Sequence, residues 1–187
     1  MESQVFDSMT IVEIGCQFKR DDRAAIAWCH QYGLLANNYI CQNCNVDCRE
    51  GLYGRAVDGI VWCCPNCRGS SSIRKGSFME GSRLKIWQIL GLTYLWATSA
   101  GRSRGLSVEQ TMKELDVDGK QTITDWSQYC RDVAVEFFLG NPERLGGQGR
   151  IVEIDESLFA RRKYHRGHLV AEQWIMVAMM SQQSVAF

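Results

Sequence analysis

This chain of 187 residues lacks several features that would settle its class at once. Net charge is absent: 21 basic residues balance 21 acidic ones, so no global excess of positive charge marks a nucleic-acid binder. The opening MESQVFDSMT has neither a basic start nor an apolar core, which excludes reading it as a secretory leader. No apolar run reaches the ~20 residues a bilayer demands. The longest, LKIWQILGLTYLWATSA (84–100), contains Lys85 and Gln88 and reads as a buried helix. Internal repeats are missing too. Together these absences predict a protein of the nucleus or cytoplasm, not secreted and with no membrane partner.

What is abundant is cysteine, at nine residues. Without a leader, nine thiols point to a reducing compartment, where they more often bind metal than form disulfides. Charge, though balanced in sum, is unevenly spread. Residues 68–104 carry seven bases against Glu80 alone, and residues 105–160 carry eleven acids against five bases. Residues 161–168 then carry four bases and no acid. Such alternation fits two basic surfaces that meet phosphate on either side of an acidic module, or simply solvated faces.

The pattern divides the chain into four stretches. Residues 1–38 are an N-terminal helical segment: DDRAAIAWCHQYGLLANN (21–38) has Ala25, Trp28, Tyr32 and Leu35 along one stripe, with Asp21 or Asp22 as cap and the Asn-Asn pair as stop. Residues 39–70 hold two cysteine pairs around RAVDGIVWC (55–63), where Asp-Gly between β-branched residues predicts a hairpin with a type I′ turn. Residues 71–140 are helical. They comprise a Ser- and Gly-rich connector, the apolar helix at 83–98, then a helix, a break over 116–120 and a second helix. Ser107 with Gln110 reads as a capping box. Thr122 or Thr124 caps the second helix, Trp126, Cys130, Val133 and Phe137 line its face, and Gly140 to Pro142 end it. A glycine-rich loop leads to a strand at 151–154 and the last stretch, 150–187.

Cys41-x2-Cys44 and Cys64-x2-Cys67, with 19 residues between the pairs, have the spacing of a four-cysteine zinc ribbon. Each tight knuckle offers two adjacent tetrahedral positions, and the hairpin brings the knuckles together. Zn²⁺ in such a site is structural and supplies folding energy. Cys48 and Cys63 are possible substitute ligands, whereas Cys16, Cys29 and Cys130 fall on apolar faces and read as packing residues. The helix-turn-helix pattern at 107–140 invites a DNA-binding reading. Its second helix, however, holds Asp125, Asp132 and Glu136 against Arg131, so a packed helical hairpin is the alternative.

From Ile151 to His168 the chain reads IVEIDESLFARRKYHRGH. The EIDES and KYHRGH elements, with the upstream cysteine pairs, SIRKGSF (72–78), the apolar helix and TDWSQYCRDV, resemble Merlin-type DDE transposases and their bacterial insertion-sequence relatives, over residues 20 to 175 or so. The resemblance implies an α+β protein: a zinc ribbon, a helix-turn-helix-like module and the first strands of an RNase H-like catalytic domain. It implies that Asp155 is the first carboxylate of the catalytic triad, a ligand for Mg²⁺ if the catalytic domain is complete. It places Arg161, Arg162, Lys163, His165, Arg166 and His168 where backbone phosphates would be gripped, and the basic segment with Arg74 and Lys75 upstream as a second contact with double-stranded DNA. The family's second and third carboxylates lie further downstream, and after Asp155 only Glu156 and Glu172 are acidic. The expectation is therefore a C-terminally truncated, catalytically incomplete, transposase-derived DNA-binding protein. The alternatives are a transposase subunit completed by a homologous full-length chain or longer product, and a zinc-stapled protein-interaction adaptor.

Overall fold

The computed structural model describes residues 9–99, 107–142, 144, 146, 150–160 and 173–182. Two compact units divide the chain, Met1–Ala134 and Val135–Phe187. The mixed α+β structure has five helices and two small antiparallel sheets among the described residues. No described helix is long and apolar enough to cross a membrane.

The first unit begins with α1 (Ile11–Phe18), started by a capping box in which Thr10 and Glu13 satisfy each other's backbone N–H groups. Helix α2 (Asp22–Gln31) starts at Asp21, whose side chain accepts from Ala24 N–H. It ends at Gln31, short of the Asn-Asn pair, because Gly33 takes a φ of +68° that few side chains tolerate. The anticipated stripe is correspondingly shifted. Ala25, Ile26 and Cys29 face the core, Tyr32 is exposed, and Leu35 returns to the core from beyond the helix.

Strands β1 (Arg49–Leu52), β2 (Ile60–Cys63) and β3 (Ser70–Ser72) form the first sheet in that order. The hairpin is present but its turn differs from expectation. Pairing stops at Leu52–Ile60, leaving a loop of residues 53–59, and of Asp58 and Gly59 only Gly59 has positive φ. A type I′ turn needs both. Asp58 is instead engaged elsewhere: its carboxylate is buried and takes Arg74 Nε and Nη2 at 2.6 and 2.5 Å. The remaining guanidinium donors reach Ser82 O and Leu84 O at 3.2 and 2.7 Å. This clamp holds residues 82–84 out of helical conformation, so α3 runs Ile86–Ser99 rather than from residue 83.

Helix α3 is buried on several sides, through Ile86, Trp87, Ile89, Leu90 and Leu92, as a central helix should be. Helices α1, α2 and α4 all pack on it. At Gly91 an added Cβ would stand 2.5 Å from Leu115 Cδ2 and 3.3 Å from Ile11 Cδ1, so the missing side chain is what lets those helices close. Helix α4 (Val108–Leu115) has the anticipated Ser107–Gln110 capping box and ends at Asp116 in the left-handed region. Its last carbonyls, Leu115 O and Asp116 O, accept from Gln88 Nε2.

Helix α5 (Lys120–Gly140) starts ahead of both threonines proposed as its cap. Ile123, Trp126 and Cys130 are buried, whereas Val133 and Phe137, placed on the same face by periodicity, are exposed. Cys16, expected to pack, is exposed as well. Cys29 is fully buried, and burial pushes its thiol up to about 12 against the opposing pull of Arg74.

In the second unit β4 (Arg150–Ala160) pairs antiparallel with β5 (Gln173–Gln182), setting Asp155 opposite Val177 and Glu153 opposite Met179. Strand β4 is longer than the 151–154 anticipated. Ile151, Ile154, Met176 and Val177 on them are exposed.

Removing one partner of a buried ion pair strands the other, at about 3–5 kcal/mol. Arg74→Ala should lower unfolding stability by that amount in urea titrations. Arg74→Lys should also destabilise, since an ammonium cannot reproduce the planar fork. A loss below about 1 kcal/mol would show that the clamp is not structural.

Candidate metal centre and nucleic-acid interface

The two cysteine pairs meet through local backbone geometry repeated almost bond for bond. In the first knuckle Asn45 N–H donates to Cys41 O at 2.9 Å and Cys41 N–H to Val46 O at 2.9 Å. In the second, Arg68 N–H donates to Cys64 O at 3.1 Å and Cys64 N–H to Gly69 O at 2.9 Å. Asn45 and Arg68, each following the second cysteine of its pair, both adopt positive φ, 57° and 58°. That conformation curls each Cys-x2-Cys so that two sulfurs face the same side. The antiparallel β1–β2 pairing then carries the second knuckle back to the first.

The outcome is one group of four ligand sulfurs, Cys41, Cys44, Cys64 and Cys67, all within 4.8 Å of one another. Cys41 Sγ lies 3.6 Å from Cys67 Sγ, and Cys44 Sγ 3.3 Å from Cys64 Sγ. A tetrahedral thiolate site with metal–sulfur bonds of ~2.3 Å needs sulfurs about 3.8 Å apart. The observed spacing is therefore suited to holding a metal ion. Among the described residues no other group of three or more His, Cys, Asp or Glu side chains converges in this way. Cys48 and Cys63, the substitute ligands considered from sequence, fall outside the group.

The thiols are also prepared unequally for a cation. Backbone hydrogen bonds, from Cys67 above all, pull Cys64 down to about 6. Backbone bonds from Asn43 and Cys44 likewise lower Cys41. Cys44, which shares its proton with Cys64, is pushed up to about 11. The first cysteine of each knuckle thus sits over its own loop's N–H groups and stabilises negative charge. Four crowded thiolates cannot all coexist without a cation, so the remaining protons are held until a metal displaces them.

The residues expected to touch DNA fare differently. Arg74 is corrected outright: at 2 % exposure, with Asp58 and two carbonyls around it, it has no access to a phosphate. Lys75 is exposed and pairs with Glu80 at 2.7 Å; that bond holds the Lys75 ammonium above its usual range. Exposed pairs of this kind contribute little and exchange readily. Arg161, Arg162, Lys163, His165, Arg166 and His168 lie outside the described residues, as does Glu172.

Asp155 is exposed in mid-strand, with Glu153 two residues away on the same face. Their partners across the ladder, Val177 and Met179, carry no side-chain oxygen. Mg²⁺ therefore has no converging carboxylate set among the described residues.

Sequence reasoning passed over three ribbon arginines. Arg49, Arg55 and Arg68 are exposed and make no ion pair among the described residues, against Arg74 whose charge is internally matched. Their common signal was available: all lie within or beside the cysteine hairpin. No protein-family model, curated protein or solved structure matches this chain.

Two outcomes are expected. Replacing Cys41 or Cys64 by Ser should abolish stoichiometric metal binding and with it the near-UV signature of the ribbon. Competition with a chromophoric chelator should show apparent affinity rising with pH above about 6, because protons on Cys44 (about 11) must leave before the metal binds. A pH-independent affinity would contradict the shared-proton picture.

Proposed function

We propose that this chain is a zinc-ribbon DNA-binding protein derived from a Merlin-type DDE transposase. The observation that carries the reading is the four-sulfur cluster on a short hairpin, followed in chain order by a helical module and by an antiparallel strand pair bearing Asp155. That order matches the resemblance borne by the cysteine pairs, SIRKGSF and EIDES. Zn²⁺ is the metal that all-thiolate tetrahedral sites in a reducing compartment favour. Its role here is structural, since four protein thiolates close the coordination shell and leave no position for a substrate.

DNA contact falls to the ribbon before α5. The exposed surface of α5 carries Asp132 and Glu136, with Asp125 half-buried beside it, and these repel phosphate, whereas Arg49, Arg55 and Arg68 project from the ribbon without partners. Lys75, exposed on the same unit, adds to this phosphate-binding complement. Strand transfer is not assigned to this chain, because among the described residues no group of three or more ligand side chains includes Asp155 and two-metal chemistry requires several converging carboxylates.

The test is fluorescence anisotropy on short duplex DNA with the zinc-loaded chain over a salt series. Binding should weaken steeply with salt and disappear after zinc removal. Replacing Arg49, Arg55 and Arg68 together by Ala should reduce the slope of log K against log salt by about 0.9 for each phosphate no longer neutralised. No binding at low salt would overturn the reading.

A further inference from the structure

Beside the ribbon's outer strand, between α2 and β1, lies a cleft of about 560 Å³. Arg23, Ile26 and His30 line it from the helix, Asn37 from the connecting chain, and Glu50 and Leu52 from the strand. The phase of hydrogen bonding along β1 shows which backbone groups face it. Tyr53 N–H donates to Gly59 O at 2.8 Å, in the same register that pairs Leu52 with Ile60. Inward bonding alternates along an antiparallel strand, so it falls on Tyr53, Gly51 and Arg49. Cys48, Glu50 and Leu52 therefore turn their N–H and C=O groups away from β2.

Cys48 has a partner on that outer side: its N–H donates to Tyr39 O at 2.8 Å, next to the Ile40–Asp47 bridge. Continued outward, this second ladder would set Asn37 against Glu50. The chain has by then turned toward α2, and no described residue pairs with Glu50 or Leu52 on the outer edge. Two ladder positions are thus vacant where the cleft opens.

The cleft's polar groups are vacant as well. Arg23 has no hydrogen bond or ion pair among the described residues. Both ring nitrogens of His30 are buried without a hydrogen-bond partner; Nε2 approaches Glu50 Oε1 at 3.4 Å but without the alignment of a bond. Ile26 and Ile60 supply a buried apolar floor, and Leu52, 74 % exposed, an uncovered wall.

We propose that this cleft takes an extended peptide, which adds to β1 as an outer strand and presents a carboxylate to Arg23. The vacant N–H and C=O groups of Glu50 and Leu52 call for a backbone ladder, which a polypeptide supplies and a nucleic acid duplex does not. The apolar floor accepts one side chain of each alternating pair. Arg23, with the imidazole of His30 and the amide of Asn37, offers unpaired donors suited to a carboxylate, while Glu50 restricts that anion to the Arg23 end.

The experiment is selection of random decapeptides displayed on phage against the full zinc-loaded chain, followed by affinity measurement on two variants. Glu50→Pro removes one outward N–H, a change an edge strand tolerates; Arg23→Ala removes an unpaired side chain. Selected peptides should alternate β-forming residues, carry an Asp, Glu or free C-terminal carboxylate, and lose at least about tenfold (~1.4 kcal/mol) in affinity for each variant with metal content unchanged. If Glu50→Pro fails to fold, the Arg23→Ala loss and peptide-induced shifts of the Glu50 and Leu52 amide resonances decide instead. A selection that enriches nothing, or peptides that bind Arg23→Ala and the parent equally, would overturn the proposal. So would a concentration-dependent dimer abolished by Glu50→Pro in the absence of peptide binding, which would assign the edge to a second copy.

Discussion

The buried pair between Arg74 and Asp58 is the contact on which the first unit turns. It joins the hairpin loop to the connector and, through Ser82 O and Leu84 O, to the approach of α3. Three segments distant in sequence are thereby fixed by one guanidinium. Lys85 repeats the device at the surface, bonding Asp22 Oδ2 and Val57 O, each at 2.6 Å, and so adds the start of α2. The desolvation cost of burying two charges is offset by two bonds between the partners and two more to carbonyls. Little of that pair's value is therefore net stability. What it does is tie the hairpin loop to the segment before α3 with four bonds from one guanidinium.

On that frame the metal centre is a local event. Each knuckle is shaped by its own four or five residues, and the hairpin needs only to return one to the other. The residue after each second cysteine must adopt left-handed geometry, and Arg68 does so at a steric cost that glycine would avoid and asparagine partly escapes. A metal ion held by the four sulfurs would supply free energy to hold so small a sheet, of strands three and four residues long, in this conformation. The core behind it is larger, running from Ile14 through Trp62 to Trp126. Tyr39 stacked on Trp62 links the two.

Part of the arrangement is legible from residue order. The cysteine spacing announces the four-sulfur group, Ser107 and Gln110 announce the start of α4, and the apolar run announces a buried helix. The capping box at Thr10 and Glu13 carries an equally readable local signal. Other features are beyond local signals. Asp58-Gly59 carries a strong turn signature, yet Asp58 is withdrawn from the turn by an arginine sixteen residues away. Arg74, in a basic stretch, reads as a surface charge for the same reason. Val133 and Phe137 share the periodicity of Trp126 and Cys130, but helical spacing says only which residues align, not where the neighbouring core ends.

What the sequence by itself determined is chemistry confined to a few consecutive residues: the cysteine pairs and the capping box that starts α4. Only the tertiary structure decided which charges are exposed and which backbone groups remain unpaired. It took Arg74 from the residues expected to touch DNA, left Arg49, Arg55 and Arg68 exposed, and opened the outer edge of β1 at Glu50 and Leu52. The physical reason is that burial and hydrogen-bond satisfaction depend on segments far apart in the chain. A charged side chain or a strand edge has no fixed partner until those segments are in place.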